Sequence, residues 1–307
     1  MSAGHRHGDE NGHGHGASRT ALAIVLGLTL ALTVTEIVGG LLTGSLALLA
    51  DAGHMATDAA GIALALGAVT LAQRPARGRR TFGWQRIEIL AAVANGLLLL
   101  VVAGYVLVQA VRRIGDPPEI GSGLMLAIAV VGLVVNLISL AVLHQGRRES
   151  LNVRGAYLEV LADALGSVAV IVAALVILLT GWTPADIVAS VVIGFLVLPR
   201  AWHLLREALD VLLEAAPKGV DLDDVRTHIL EVDGVIGVHD LHAWTITSGL
   251  PVLSAHVVVT DEALAAGHGG RVLDSLCECL GEHFDMEHCT FQIEAAAHAG
   301  HESPVHD

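Results

Sequence analysis

Six long apolar runs limit what this chain can become. Ala21 to Leu42, the stretch from the turn at Ser45 to Ala72, Trp84 to Val111, Gly121 to His144, the run through Glu159 and Asp163 to Thr180, and Ala185 to Trp202 are each rich in Leu, Val, Ile and Ala. Each is about long enough to cross a hydrocarbon core of roughly 30 Å at 1.5 Å per residue. In lipid a backbone must satisfy its own N–H and C=O groups, and an α-helix does this within one segment. The runs therefore predict an all-α, six-helix transmembrane domain. Composition agrees: 53% of residues are hydrophobic and 16% charged, with mean hydropathy +0.65, whereas charged residues make up about a quarter of soluble domains.

The loops orient the runs. Arg74, Arg77, Arg79, Arg80 and Arg86 crowd one connection, Arg147, Arg148 and Arg154 another, and Arg200 and Arg206 lie at and just after the end of the sixth run. The positive-inside rule places all three on the cytoplasmic face, so both termini are expected inside, in a cell (inner) membrane. Arg112 and Arg113, beside the break Gly115-Asp116-Pro117-Pro118, count against this topology. Residues 1–19 hold His5, His7, His13 and His15 among glycines. They carry too little apolar surface to fold alone and read as a disordered, His-rich tail without the features of a signal peptide.

After the transmembrane domain, set at residues 20–206, a small cytoplasmic domain is expected over 207–296, followed by a His-containing tail over 297–307. Asp221 to Val232 reads as an amphipathic helix. Val235 to Thr247 and Pro251 to Thr260 read as strands joined at Ser248-Gly249-Leu250. Ala263 to Phe284 reads as a helix and Cys289 to Glu294 as a last strand. The order α-β-β-α-β is that of a small α+β sandwich, whose modest core favours pairing with a second copy. Cys277, Cys279 and Cys289 are odd in number and all lie here, which fits a reducing compartment. The net charge of -14 offers no basic face for nucleic acid.

The chemistry lies inside the apolar runs. His54 and Asp58 are four residues apart on the second, and Glu159 and Asp163 four apart on the fifth. On helices each pair projects from one face, one turn above the other. An ionisable residue at the bilayer centre costs roughly 2.5 to 3.5 kcal/mol on insertion scales, so four of them need mutual partners or an ion. Interhelical hydrogen bonding is the alternative use of such groups, but dispersed polar contacts rarely supply two pairs that both suit a metal. One imidazole and three carboxylates fit tetrahedral zinc, and ligand type alone does not separate zinc from cobalt or cadmium. Asp51, three residues before His54, is expected as a partner behind the ligands. Glu36 in the first run could line a proton path or face a polar interface. Such a cage cannot stand uncompensated in a low dielectric, so protons are expected to replace departing metal, which is the physical basis of antiport.

The stretches LLADAGHMATDAAG, RTFGWQRIEILAAVANG, NVRGAYLEVLADALGS, TGWTPADIVAS, GVHDLHAWTITSG and LSAHVVV resemble the cation diffusion facilitator family. Its branch of bacterial zinc, cobalt and cadmium resistance exporters, similar to the animal zinc transporters, is the nearest likeness. The resemblance implies a homodimer, a metallochaperone-like cytoplasmic domain and exchange of metal for protons. It places transport ligands at His54, Asp58, Glu159 and Asp163, and cytoplasmic metal ligands at His239, His256 and Glu294. Many zinc-specific members have histidine where this chain has Glu159, so strict zinc selectivity is not implied.

The expected function is proton-coupled export of divalent transition-metal ions, zinc foremost, with cobalt or cadmium as further cargo. The partners are then metal ions, protons, membrane lipid and a second copy. The metals, Zn2+ or Co2+/Cd2+, would be transported and regulatory, with no organic cofactor. The chain is not expected to be an enzyme: an intramembrane metallohydrolase would need a general base, and the HExxH signature is missing. A membrane metal sensor or regulatory scaffold is the competing reading.

Overall fold

Helices occupy all six apolar runs: α1 (Gly12–Thr43), α2 (Leu46–Ala72), α3 (Ile87–Arg113), α4 (Ser122–His144), α5 (Leu151–Thr180) and α6 (Pro184–Leu212). Each is long and apolar enough to span a bilayer. The computed structural model describes residues 12–116, 118–144, 151–265, 269–286 and 288–299. The remaining tail residues, among them His5, His7, His301 and His306, lie outside the described residues.

Two boundaries differ from expectation. α1 starts at Gly12, inside the stretch read as a tail, because a formed helix extends residue by residue at little cost once the apolar span has nucleated it. α6 continues to Leu212, so the expected division at 206/207 falls within a helix. Its chain leaves helical geometry at Glu214, with φ 59, next to the Pro217 that composition had marked. At the opposite end of a neighbouring span, Gly181 closes α5 with φ 71 and its N–H bonds to Ile177 O at 2.8 Å, the left-handed cap for which glycine is suited.

The chain divides into two units, one of residues up to Leu64 with Ala94–Leu204, the other of Ala65–Val93 with residues from Leu205 onward. In the first, the core gathers Leu46, Leu48, Met125, Val170, Ala174, Ile187 and Ile193. Large apolar side chains also point outward, such as Val101, Val111 and Leu179, the arrangement expected where the surrounding solvent is hydrocarbon. One buried acid organises the start of α2. Asp186 of α6 accepts hydrogen bonds from Leu46 N at 2.7 Å, Ala47 N at 3.2 Å and Ser45 Oγ at 2.6 Å. It thereby satisfies N–H groups that a helix start leaves orphaned. Arg113 donates to Gly44 O at 2.7 Å and stands 3.9 Å from Asp186. It is thus tied into the protein rather than standing as a free loop charge.

In the second unit α7 (Leu222–Leu230), β1 (Val235–Thr247), β2 (Leu250–Val259), α8 (Asp261–Leu264), α9 (Gly269–Phe284), β3 (His288–Ala295) and α10 (Ala296–Ala299) follow in order. The expected second helix is two: α8, capped by the Thr260 side chain, stops before a Gly-rich stretch and α9 resumes at Gly269. The sheet order is β1-β2-β3, with β1 and β2 antiparallel and β2 and β3 parallel. Val225 and Ile229 of α7, and Val272, Leu276 and Leu280 of α9, recur every fourth residue and are buried against Leu253, Ala255 and Val257 of the central strand. That spacing is the apolar stripe of a helix packed on a sheet. Asp221 caps α7 by accepting from Asp223 N at 2.9 Å. Within the same unit, Thr247 at the end of β1 donates to Glu88 of α3 at 2.7 Å.

Candidate metal centres

The first centre arises from helical spacing on α2 and α5. His54 Nε2 lies 3.4 Å from Asp58 Oδ2 on its own helix and 3.7 Å from Asp163 Oδ1 on α5. A tetrahedral zinc with bonds of about 2.1 Å sets its ligand atoms about 3.4 Å apart; the Asp58 separation matches such an edge, the Asp163 separation is longer, and the three donors do not all lie within 4.8 Å of one another, so the helices would have to draw together to share one ion. His54 and Asp163 are buried, at 8% and 3% exposure. Among the buried polar atoms without a hydrogen-bond partner are His54 Nδ1, Asp58 Oδ1 and Asp163 Oδ1. Unpaired polar atoms this deep are rare and call for a partner such as water or an ion.

The fourth expected ligand is joined to the others through a residue the sequence reading did not place here. Arg200 of α6 donates from Nη1 to Asp58 Oδ2 at 3.2 Å and from Nη2 to Glu159 Oε1 at 3.0 Å. The sequence places Arg200 at the cytoplasmic end of the sixth run, but α6 continues beyond it to Leu212. Asp51 is buried against α5: a Cβ at Gly166 would stand 2.7 Å from Asp51 Oδ1. It makes no hydrogen bond to His54 among the described residues, since its three-residue offset turns it about 60° around α2. Glu36 is also buried, at 1% exposure, and neither of its oxygens has a hydrogen-bond partner.

The second centre stands on the three-stranded sheet. Register pairs His239 with His256 across β1 and β2, and His256 with Gln292 across β2 and β3. Glu294 lies two residues beyond Gln292 and so shares its face. His256 Nδ1 is 2.9 Å from Glu294 Oε1, and His239 Nε2 is 3.3 Å from Glu294 Oε2. Among the described residues, this trio is the group of three whose ligand atoms all fall within 4.8 Å of one another. Two imidazoles and a carboxylate are a donor set suited to zinc. The Glu294 side chain is 1% exposed, and Gln292 Nε2 donates to its Oε1 at 2.7 Å, an orienting contact of the kind that sharpens metal ligation.

Sequence reasoning missed Asp240. Strict alternation would turn it away from His239, but a β-bulge between His239 and His242 breaks the alternation, with Asp240 at φ 51. Its carboxylate lies 3.7 Å from His256 Nε2 and 3.0 Å from His242 Nε2. The acid set between two histidines in HDLH was the available signal. Cys289 packs on the core side of β3 beside Phe291 and Ile293. That face is the one opposite Glu294, so Cys289 does not point toward the trio; burial, and then the neighbouring Cys277, pushes its thiol up to about 11.

Comparison with known proteins accounts for both units. Residues 22–213 match the cation efflux transmembrane domain, and residues 217–296 the cytoplasmic domain of cation efflux proteins. The cation efflux system protein CzcD of Alcaligenes sp. is 49% identical over 263 residues, covering 86% of this chain and 82% of the relative. A cadmium, cobalt and zinc/H(+)-K(+) antiporter of Bacillus velezensis is 42% identical over 267 residues, covering 86% and 85%. The zinc transporter ZitB of Escherichia coli is 43% identical over 263 residues, covering 85% and 82%. A solved structure of the metal-bound C-terminal domain of the CzcD transporter from Cupriavidus metallidurans aligns with 24% of this chain and 99% of that domain, at 41% identity and TM-score 0.23. With six membrane-length helices, buried acids and imidazole at their centre and matches over both units, the chain belongs to the cation efflux, or cation diffusion facilitator, family, and is a multi-pass membrane transporter of divalent metal cations.

Proposed function

We propose that this chain is a proton-coupled antiporter that exports divalent transition-metal ions from the cytoplasm, zinc foremost, with cobalt and cadmium accepted. The observation that carries the reading is His54 Nε2 standing 3.4 Å from one carboxylate of α2 and 3.7 Å from one of α5. His54, Asp58, Glu159 and Asp163 are the transport ligands in this account. Metal requires them deprotonated, so protons and metal compete for the same atoms. Rocking of the helices would open the site first to one face and then to the other, and the exchange of occupants gives antiport. Names of relatives at more than 40% identity include zinc transport and a metal/proton antiporter. Glu159 adds a carboxylate where a histidine would favour zinc, and the harder donor set tolerates other divalent ions.

His239, His256 and Glu294 form the regulatory site, loaded by cytosolic metal, with Asp240 positioned to steady His256. The working molecule is a homodimer in the inner membrane with both termini cytoplasmic, in keeping with the arginine-rich loops. The test is zinc uptake into proteoliposomes with and without an acid lumen. An antiporter takes up zinc faster when the lumen is acidic. A sensor or scaffold shows no flux, and flux indifferent to the gradient contradicts proton coupling.

A further inference from the structure

Arg200 has no part in coordinating a cation, yet it holds the oxygens that a cation would take. Its guanidinium spans the two ligand pairs, contacting Asp58 Oδ2 of α2 at 3.2 Å and Glu159 Oε1 of α5 at 3.0 Å. Asp58 Oδ2 is the same atom that lies 3.4 Å from His54 Nε2. A divalent cation bonded at about 2.1 Å to that oxygen would stand close to a guanidinium nitrogen 3.2 Å from the same atom, and the two positive charges would repel each other. We infer that Arg200 is a tethered competitor of the transported ion. It clamps α2 to α5 through Asp58 and Glu159, withdraws when a divalent cation binds, and drives the cation off when it returns. This inference rests on the transport-site reading above.

Three features make such a swing physically reasonable. The guanidinium is planar, always charged and matched to two acceptors in a fixed fork, a geometry that the point charge of a lysine ammonium does not reproduce. The Arg200 side chain is 46% exposed whereas Asp58 is 9% exposed, so the arginine has open space to withdraw into and the carboxylate does not. Pro199, immediately before it in α6, has no N–H to give to the carbonyl of Phe195, which loosens the helix at the point from which Arg200 projects.

The test is initial-rate zinc transport by the full-length protein in proteoliposomes, comparing Arg200→Gln and Arg200→Lys with the parent chain, and with Asp58→Ala beside them. Loss of the clamp lowers the KM for zinc by about tenfold in Arg200→Gln, the order set by a lost charge-assisted contact. kcat falls as well, because release loses its competitor. Arg200→Lys keeps the charge but loses the fork, so its KM falls by about threefold. A glutamine variant with unchanged or raised KM overturns the inference. So does a lysine variant matching the parent, since the bridge would then be irrelevant and the charge alone would matter. Should Arg200→Gln fail to assemble, the lysine variant decides by itself. Asp58→Ala at the parent rate would sink the transport-site reading, and this inference with it. A silent Asp58→Ala beside arginine variants of parental KM removes the inference alone.

Discussion

The two centres use the same donor chemistry, imidazole and carboxylate, and hold it in opposite ways. On the sheet, His239, His256 and Glu294 project from hydrogen-bonded strands whose register fixes their spacing, and their ligand atoms already lie within 4.8 Å of one another. In the membrane-spanning helices, the donors come as two pairs on separate helices, and an arginine occupies an oxygen from each pair. A site that senses must hold its ion in one geometry. A site that transports must be able to give the ion up, and helices can shift against each other in a way that strands in a ladder do not. In the reading proposed above, with the sheet centre sensing and the helix centre transporting, the contrast between holding and releasing an ion is one of mounting, with nearly the same ligands.

Several substitutions would break or sharpen this contrast. The largest effect is expected on the sheet, where Glu294 bonds both histidines: Glu294→Ala removes a ligand and should weaken zinc binding at that centre by about 100-fold or more, beyond the 10 to 100-fold typical of losing a residue that only orients a ligand, read by calorimetry on the full-length protein, while zinc flux persists. An unchanged isotherm would remove the trio as a site. Next, the mounting of α2 depends on the buried Asp186 cap. Asp186→Ala should cost about 2 kcal/mol or more, since it strips a helix start and leaves Arg113 without its buried counter-charge; an unaltered thermal unfolding midpoint in detergent would deny the cap its role. Third, Glu159→His should shift competition between zinc and cobalt or cadmium toward zinc by several-fold, and identical competition profiles would count against the selectivity argument. The smallest effect is expected for Cys289→Ala. Packed on the core with Phe291 and Ile293 and facing away from the trio, Cys289 contributes packing, so zinc affinity should hold while stability falls by about 1 kcal/mol.

How far the sequence could be read depended on the physics of each element. The six helices were legible because lipid imposes one solution on a long apolar run, and the pairs His54/Asp58 and Glu159/Asp163 because helical spacing is regular. The hairpin at Ser248-Gly249-Leu250 and the face shared by Cys289, Phe291 and Ile293 followed from strand alternation. Arg200 was not legible, because an arginine near the end of an apolar run looks the same whether it meets solvent or turns toward carboxylates on two other helices. Asp240 was hidden by a bulge, which breaks the period on which strand reading relies. The end of α6 was misjudged because a polar, alanine-containing segment continues a helix as readily as it starts a new domain; only Pro217 marked the real stop.

The central claim is that α2 and α5 jointly hold one transported cation. Zinc flux through proteoliposomes containing Asp163→Ala, in protein that still assembles like the parent, tests it most directly. The account predicts that flux vanishes although His54 and Asp58 on α2 remain intact; flux at the parental rate would mean that the two helices do not share a cation.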